Sequence, residues 1–152
     1  MERRHAVEQE TDNTAELAAE LRSMLKKLKR RLQEQGGKND LKPSQTAVIL
    51  RLERDGPSAV STLARGEEMR PQSMSAIIEA LRDLGLVEGI ADPNDGRQTL
   101  MTLTRKCRAW LKNGRAARQD WLTNSIQKKL SQSEQETLSK ALRLLARFVA
   151  EE

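Results

Sequence analysis

Between Ser58 and Arg97 the chain gathers side chains that can hold a polyanion and read it. Gln72 offers an amide that can bond adenine through two atoms, Ser75 a hydroxyl for a base edge or a phosphate, and Ala76 a small apolar surface for a thymine methyl. Ser58, Ser61, Arg70 and Arg97 can bring hydroxyls, helix-start amides and guanidinium groups to phosphates, contacts that fix position without reading sequence. Catalytic chemistry has far less to work with. The chain has one histidine, His5, in a polar terminus, and one cysteine, Cys107. No base and nucleophile pair, no Cys/His metal set, no internal disulfide and no phosphate-cradling glycine loop can be assembled from one chain. Neither an enzyme nor a bound metal or cofactor is expected.

The elements that must carry these residues follow from periodicity. Residues 1–13 have neither helical nor strand period and are expected to be a flexible N-terminus. From Thr14 to Leu32 the apolar residues Leu17, Leu21, Met24, Leu25, Leu28 and Leu32 fall three and four apart on one helix face, which ends at Gln35-Gly36-Gly37. Pro43 and Ser44 open a second, mostly buried helix through Arg54, with Ala47, Val48, Ile49, Leu50 and Leu52. Ser58 is expected to cap a short third helix that turns Val60, Leu63 and Ala64 inward and breaks at Gly66. Pro71 suits the first turn of a fourth helix ending at Gly85, because the amide it lacks would be unpaired there in any case. If Met74, Ile77, Ile78, Leu81 and Leu84 form its buried face, then Gln72, Ser75, Ala76, Glu79 and Asp83 lie opposite. Only the first two turns are expected to enter a groove deeply, since Glu79 and Asp83 would be repelled by phosphates.

After Leu86 the helical period is lost. A strand near Leu86–Ile90, a turn at Asp92-Pro93-Asn94-Asp95-Gly96 and a strand from about Gln98 make a hairpin. Thr104 then looks like the cap of a long fifth helix bearing Cys107, Trp110, Leu111, Gly114, Ala117 and Trp121, and Ser131-x-x-Glu134 is a capping box for a sixth with Leu138, Leu142, Leu145 and Val149 on one side. The expected class is mainly α with a small β-hairpin wing. The order divides the chain into a flexible N-terminus over 1–13, a first helix in 14–40, a winged helix-turn-helix lobe in 41–104 and C-terminal helices in 105–152. Three short helices followed directly by a hairpin is the layout in which a recognition helix enters the major groove and the hairpin touches the flanking backbone.

A net charge of +5 suits an anionic partner, but the cations are unevenly placed. Residues 41–104 carry 7 Lys/Arg against 9 Asp/Glu, whereas 105–152 carry 11 against 5. With no Tyr, one Phe and two Trp, the chain lacks the aromatic platforms on which single-stranded bases stack, so duplex DNA is the favoured partner. No apolar run approaches a membrane span or a signal-peptide core, and a membrane partner is not expected; the cytoplasm is. The run Lys26, Lys27, Lys29, Arg30 and Arg31 is read as a solvated face, Trp110 and Trp121 as packing, and Cys107 as an inert core thiol.

The stretches Arg70-Pro71-Gln72-Ser73-Met74-Ser75, Leu81-Arg82-Asp83-Leu84-Gly85-Leu86-Val87, Asp92-Pro93-Asn94-Asp95-Gly96-Arg97 and Leu103-Thr104 resemble the MarR family of multiple-antibiotic-resistance regulators. The resemblance covers about residues 14–150 in element order and is most specific in the Asp-Pro-x-Asp-x-Arg wing followed by Leu-Thr. It implies a bacterial transcription regulator: a homodimer interlocked through its first, fifth and sixth helices, two winged lobes on a roughly palindromic operator, and repression relieved by a small-molecule effector. It also implies that Arg97 is the wing arginine and Asp95 the partner that orients it. Gly96 stands where some members carry another basic residue, which removes a phosphate contact. With the residue reading, the DNA-contacting set is Ser58, Ser61, Arg70, Gln72, Ser73, Ser75, Ala76, Asp95 and Arg97. The rival reading is a winged-helix protein-interaction module without specific DNA binding, because a fold alone does not fix function.

Overall fold

The computed structural model describes residues 2–37 and 40–151, and the side chains of residues 13–37 and 40–151. The expected flexible N-terminus, with His5, falls mostly on side chains outside the described residues. The order is α1 Glu2–Gln35, α2 Pro43–Asp55, α3 Val60–Gly66, α4 Pro71–Asp83, β1 Val87–Ala91, β2 Thr99–Leu103, α5 Arg105–Lys129 and α6 Gln132–Val149. The backbone of α1 is helical well before Thr14, where the apolar period begins. No glycine or proline interrupts residues 2–35, and the Ala, Glu, Gln and Arg residues that precede Thr14 are good helix formers even without an apolar stripe.

The chain divides into two compact units, Lys38–Gly114 and, together, Met1–Gly37 with Arg115–Glu152. The first therefore includes the opening turns of α5, beyond the expected boundary at Thr104. The reason is packing: Cys107 and Leu111 are buried in the same core as Val48, Ile49 and Leu52 of α2, Leu63 and Ala64 of α3, Met74, Ile78 and Leu81 of α4, and Leu86, Val87, Met101 and Leu103 around the hairpin, with Trp110 packed against it. Three expected core residues, Ala47, Leu50 and Leu84, lie outside that cluster. Leu50 is 46% exposed and Leu84 is 49% exposed. The buried residues of α2, Val48, Ile49 and Leu52, already cover its inner face, and Leu84 follows the last turn of α4 as its C-cap.

The hairpin is antiparallel with Val87 opposite Leu103 and Ala91 opposite Thr99. Ser58 does not cap α3. The N-cap is Ala59, while the Ser58 backbone bridges Met101, donating to its carbonyl at 3.0 Å and accepting from its amide at 2.8 Å. The Ser58 hydroxyl donates to the Gly56 carbonyl at 2.9 Å. A single extended residue thus joins the hairpin edge, where unpaired backbone groups would otherwise face water.

Two predicted caps form as expected. Thr104 Oγ1 accepts the Cys107 amide at 3.1 Å and donates to the Gly85 carbonyl at 2.7 Å. Ser131 Oγ accepts the Glu134 amide at 3.2 Å while Glu134 Oε1 accepts the Ser131 amide at 2.9 Å. In the unit formed by α1, α6 and the later turns of α5, no residue of α6 is buried. Leu17, Met24 and Leu25 of α1 and Leu142, Leu144, Phe148 and Val149 of α6 are each more than half exposed.

Candidate nucleic-acid interface

The wing tip is built by two aspartates that fold the backbone onto themselves. Asp92 Oδ1 accepts the Asn94 amide at 2.9 Å, and Asp95 Oδ1 accepts the Arg97 amide at 3.1 Å. These side chains stand in for backbone carbonyls in tight turns, which is why Asp suits such positions. The Asp92 amide to the Gln98 carbonyl at 2.9 Å closes the loop beyond the last ladder pair. Asp95 therefore meets Arg97 at its backbone amide, within the turn. Among the described residues none forms an ion pair with the Arg97 guanidinium, and the side chain is exposed. Gly96 has nothing within 4 Å of where a Cβ would stand.

On α4 the helical wheel holds except at Leu84, which is 49% exposed. Met74, Ile78 and Leu81 are buried, while Gln72, Ser73, Ser75, Ala76, Glu79 and Asp83 are exposed. Arg70 is the N-cap with extended backbone, Pro71 follows, and no acidic residue stands in the first turn. The unpaired amides at that end and the positive end of the helix dipole meet no carboxylate of the first turn, an arrangement favourable to a phosphate. From Gln72 to Glu79 the stripe rises about 10 Å at ~1.5 Å per residue, the span of roughly three base pairs.

The other expected contacts divide. Ser61 is exposed in the first turn of α3. Ser58 is only half-buried, but its hydroxyl proton is committed to Gly56, leaving acceptor lone pairs and no spare donor for a phosphate. Lys26, Lys27, Lys29, Arg30 and Arg31 are all exposed on α1. Arg31 lies 5.9 Å from the centre of the half-buried Trp121 ring, within cation–π range. Cys107 is fully buried, and burial pushes its thiol up, away from the reactive thiolate.

Several charges of the acidic lobe are satisfied internally. The hydrogen bond from Arg54 holds the Asp55 carboxyl below its usual range, with further help from the Arg54 and Arg51 charges. Arg51 Nε meets Glu67 Oε1 at 2.6 Å and its Nη2 donates to the Gly66 carbonyl at 2.8 Å. Lys106 Nζ donates to the Leu84 carbonyl at 3.0 Å, joining Thr104 at the C-terminal end of α4. Sequence reasoning missed Arg51, Glu67 and Lys106. The available signal was an arginine between Leu50 and Leu52 on a helix read as buried, a charge that needs a partner.

A family model described as MarR family matches residues 39–98. The chain is 32% identical over 140 residues to an uncharacterized HTH-type transcriptional regulator of Mycobacterium bovis, covering 92% of this chain and 97% of that protein. Among solved structures it is similar to a transcriptional regulator protein of Pseudomonas aeruginosa PA01, with 33% identity, a TM-score of 0.73, and coverage of 90% of this chain and 96% of the other. Its fold also matches a MepR variant of S. aureus solved bound to an oligodeoxyribonucleotide, at a TM-score of 0.70 and 15% identity, over 88% of this chain and 98% of that one.

Proposed function

Because this chain belongs to the MarR family of helix-turn-helix transcriptional regulators, not to a family of enzymes, we propose that it binds duplex DNA as a homodimer and represses transcription at a pseudo-palindromic operator. The observation that carries the reading is the pairing of an exposed Gln72, Ser75 and Ala76 stripe on α4 with an exposed Arg97 on a wing tip fixed by Asp92 and Asp95. Gln72 and Ser75 read base edges, Ala76 meets a thymine methyl, and Arg70, Ser61, Ser73 and Arg97 hold the flanking backbone. Arg97 suits a narrow minor groove, where the negative potential is enhanced. The MepR variant bound to an oligodeoxyribonucleotide supports DNA as the partner, since a protein of the same fold binds it there.

The dimer reading draws on the apolar side chains that α1 and α6 leave in water, which a second copy would cover. Two lobes then meet successive major grooves roughly 34 Å apart. A small effector relieves repression by binding the arrangement with the wrong lobe spacing more tightly, shifting the population away from the DNA-competent state. Among the described residues no helix is long and apolar enough to cross a membrane. The proposed place of action is the cytoplasm, with the chromosome.

Arg97→Ala tests the wing. Operator affinity is expected to fall with the dimer still folded; unchanged affinity removes the wing from the mechanism. A protein-interaction module would instead show no affinity for DNA that falls steeply with salt.

A further inference from the structure

We propose that Arg51 of α2 is a positioning residue for DNA reading: its guanidinium clasps the turn between α3 and α4 and so fixes the angle at which α4 presents Gln72. The proposal rests on the reading of α4 as the recognition helix.

The turn needs holding. Glu68 has φ 53°, the one positive φ at a non-glycine residue among those described, a left-handed conformation that is costly for an L-residue and persists where its surroundings over-determine it. Backbone bonds supply part of this: the Glu67 amide to the Leu63 carbonyl at 3.0 Å, Glu68 to Arg65 at 3.2 Å and Met69 to Ala64 at 2.8 Å. Arg51 supplies the tertiary part. Its planar fork donates through Nε to Glu67 at 2.6 Å and through Nη2 to the Gly66 carbonyl at 2.8 Å, while Nη1 lies 3.6 Å from Asp55. Both short bonds end on consecutive residues of the turn. Side-chain exposure is only 25% for Arg51 and 21% for Glu67, so water competes less than at an open surface pair.

Gly66 completes the fit. A Cβ there would stand 2.7 Å from Arg51 Cζ and Nη1 and 3.0 Å from Nε, so the guanidinium lies flat where any other residue would place its side chain. The far end of α4 is tied to α5 by Thr104 and Lys106. The N-terminal end, with Gln72, is therefore the end that Arg51 controls. With ~1.5 Å rise per residue, a tilt of about ten degrees about the tied end moves Gln72 by roughly 3 Å, enough to break a base contact.

The test uses the full chain, an operator duplex selected from a random pool and a scrambled duplex of equal length, each titrated across a salt series. Arg51→Met is expected to lower the preference for operator over scrambled duplex by roughly tenfold, the scale of one or two lost charge-assisted bonds. Binding to scrambled duplex and the salt slope are expected to stay the same, and base preference under Gln72 to relax. Arg51→Lys, which keeps the charge and loses the fork, is expected to recover only part of the preference. Arg54→Ala controls for a lost charge and is expected to leave the preference unchanged. A variant that loses thermal stability but keeps the preference would overturn the proposal, as would a salt slope lower by about one per lobe, which would make Arg51 a phosphate contact. Should Arg51→Met fail to fold, Glu67→Gln decides, and an unchanged preference there overturns it too. A wild-type chain that enriches no operator from the pool defeats the DNA reading and this proposal with it, an outcome distinct from all the others.

Discussion

At the scale of single residues, the wing makes the sharpest commitments. Gly96 lies outside the left-handed region, and the space around its missing Cβ is empty, so Gly96→Lys should fold without strain and add one phosphate contact per wing. Tighter binding to any duplex is expected, with a salt slope steeper by about one per lobe; an unchanged slope would mean that the wing tip does not approach the backbone. Cys107 is predicted to resist thiol reagents in the native protein and to react on unfolding, because burial raises its thiol and blocks access. The exposed residues of this surface were legible in the sequence, since Gln72, Ser75 and Ala76 stand opposite Met74, Ile78 and Leu81 on a helical wheel. The Arg51 and Glu67 pair was not. It joins residues 16 apart through a turn whose shape no periodicity encodes.

At the scale of elements, α4 is held by its apolar face and by both ends. Leu81 is fully buried in the lobe core, and Leu81→Ala is expected to cost about 2–5 kcal/mol in denaturant unfolding. Thr104→Val keeps the shape but removes the α5 cap and the bond to Gly85, with an expected cost of about 1–3 kcal/mol. The α6 box has a pH signature. The Ser131 backbone amide, and then its hydroxyl, hold the Glu134 carboxyl below the ordinary range. This contribution is therefore present above the ordinary carboxylate range and lost as pH falls through the depressed value. A carboxyl titration by NMR should place Glu134 below typical glutamates, and an ordinary midpoint would contradict the box. Most elements could be read from caps and apolar spacing, including both of these caps. Ser58 could not: the bridge to Met101 pairs it with a strand 43 residues further along, and that non-local bond overrides the local preference of serine for a cap.

At the scale of the whole molecule, the proposed homodimer requires that the apolar side chains on α1 and α6 be covered by a second copy. Phe148→Glu places a charge where the side chain is 75% exposed in one chain, and is predicted to lower the fraction of dimer in sedimentation and to weaken operator binding together, while the lobe keeps its fold. The acidic balance of residues 41–104 makes the salt dependence informative, because part of that acidity is neutralised within the lobe by Arg51 and Arg54. The most direct measurement is binding of the purified chain to its own upstream DNA and to a scrambled duplex of equal length, across a salt series. The expected result is tight binding that prefers the upstream DNA, or an operator selected from random duplexes, and falls steeply as salt rises. Equal, weak binding to every duplex, with no operator enriched by selection, would contradict it and leave protein partnership as the function of the fold.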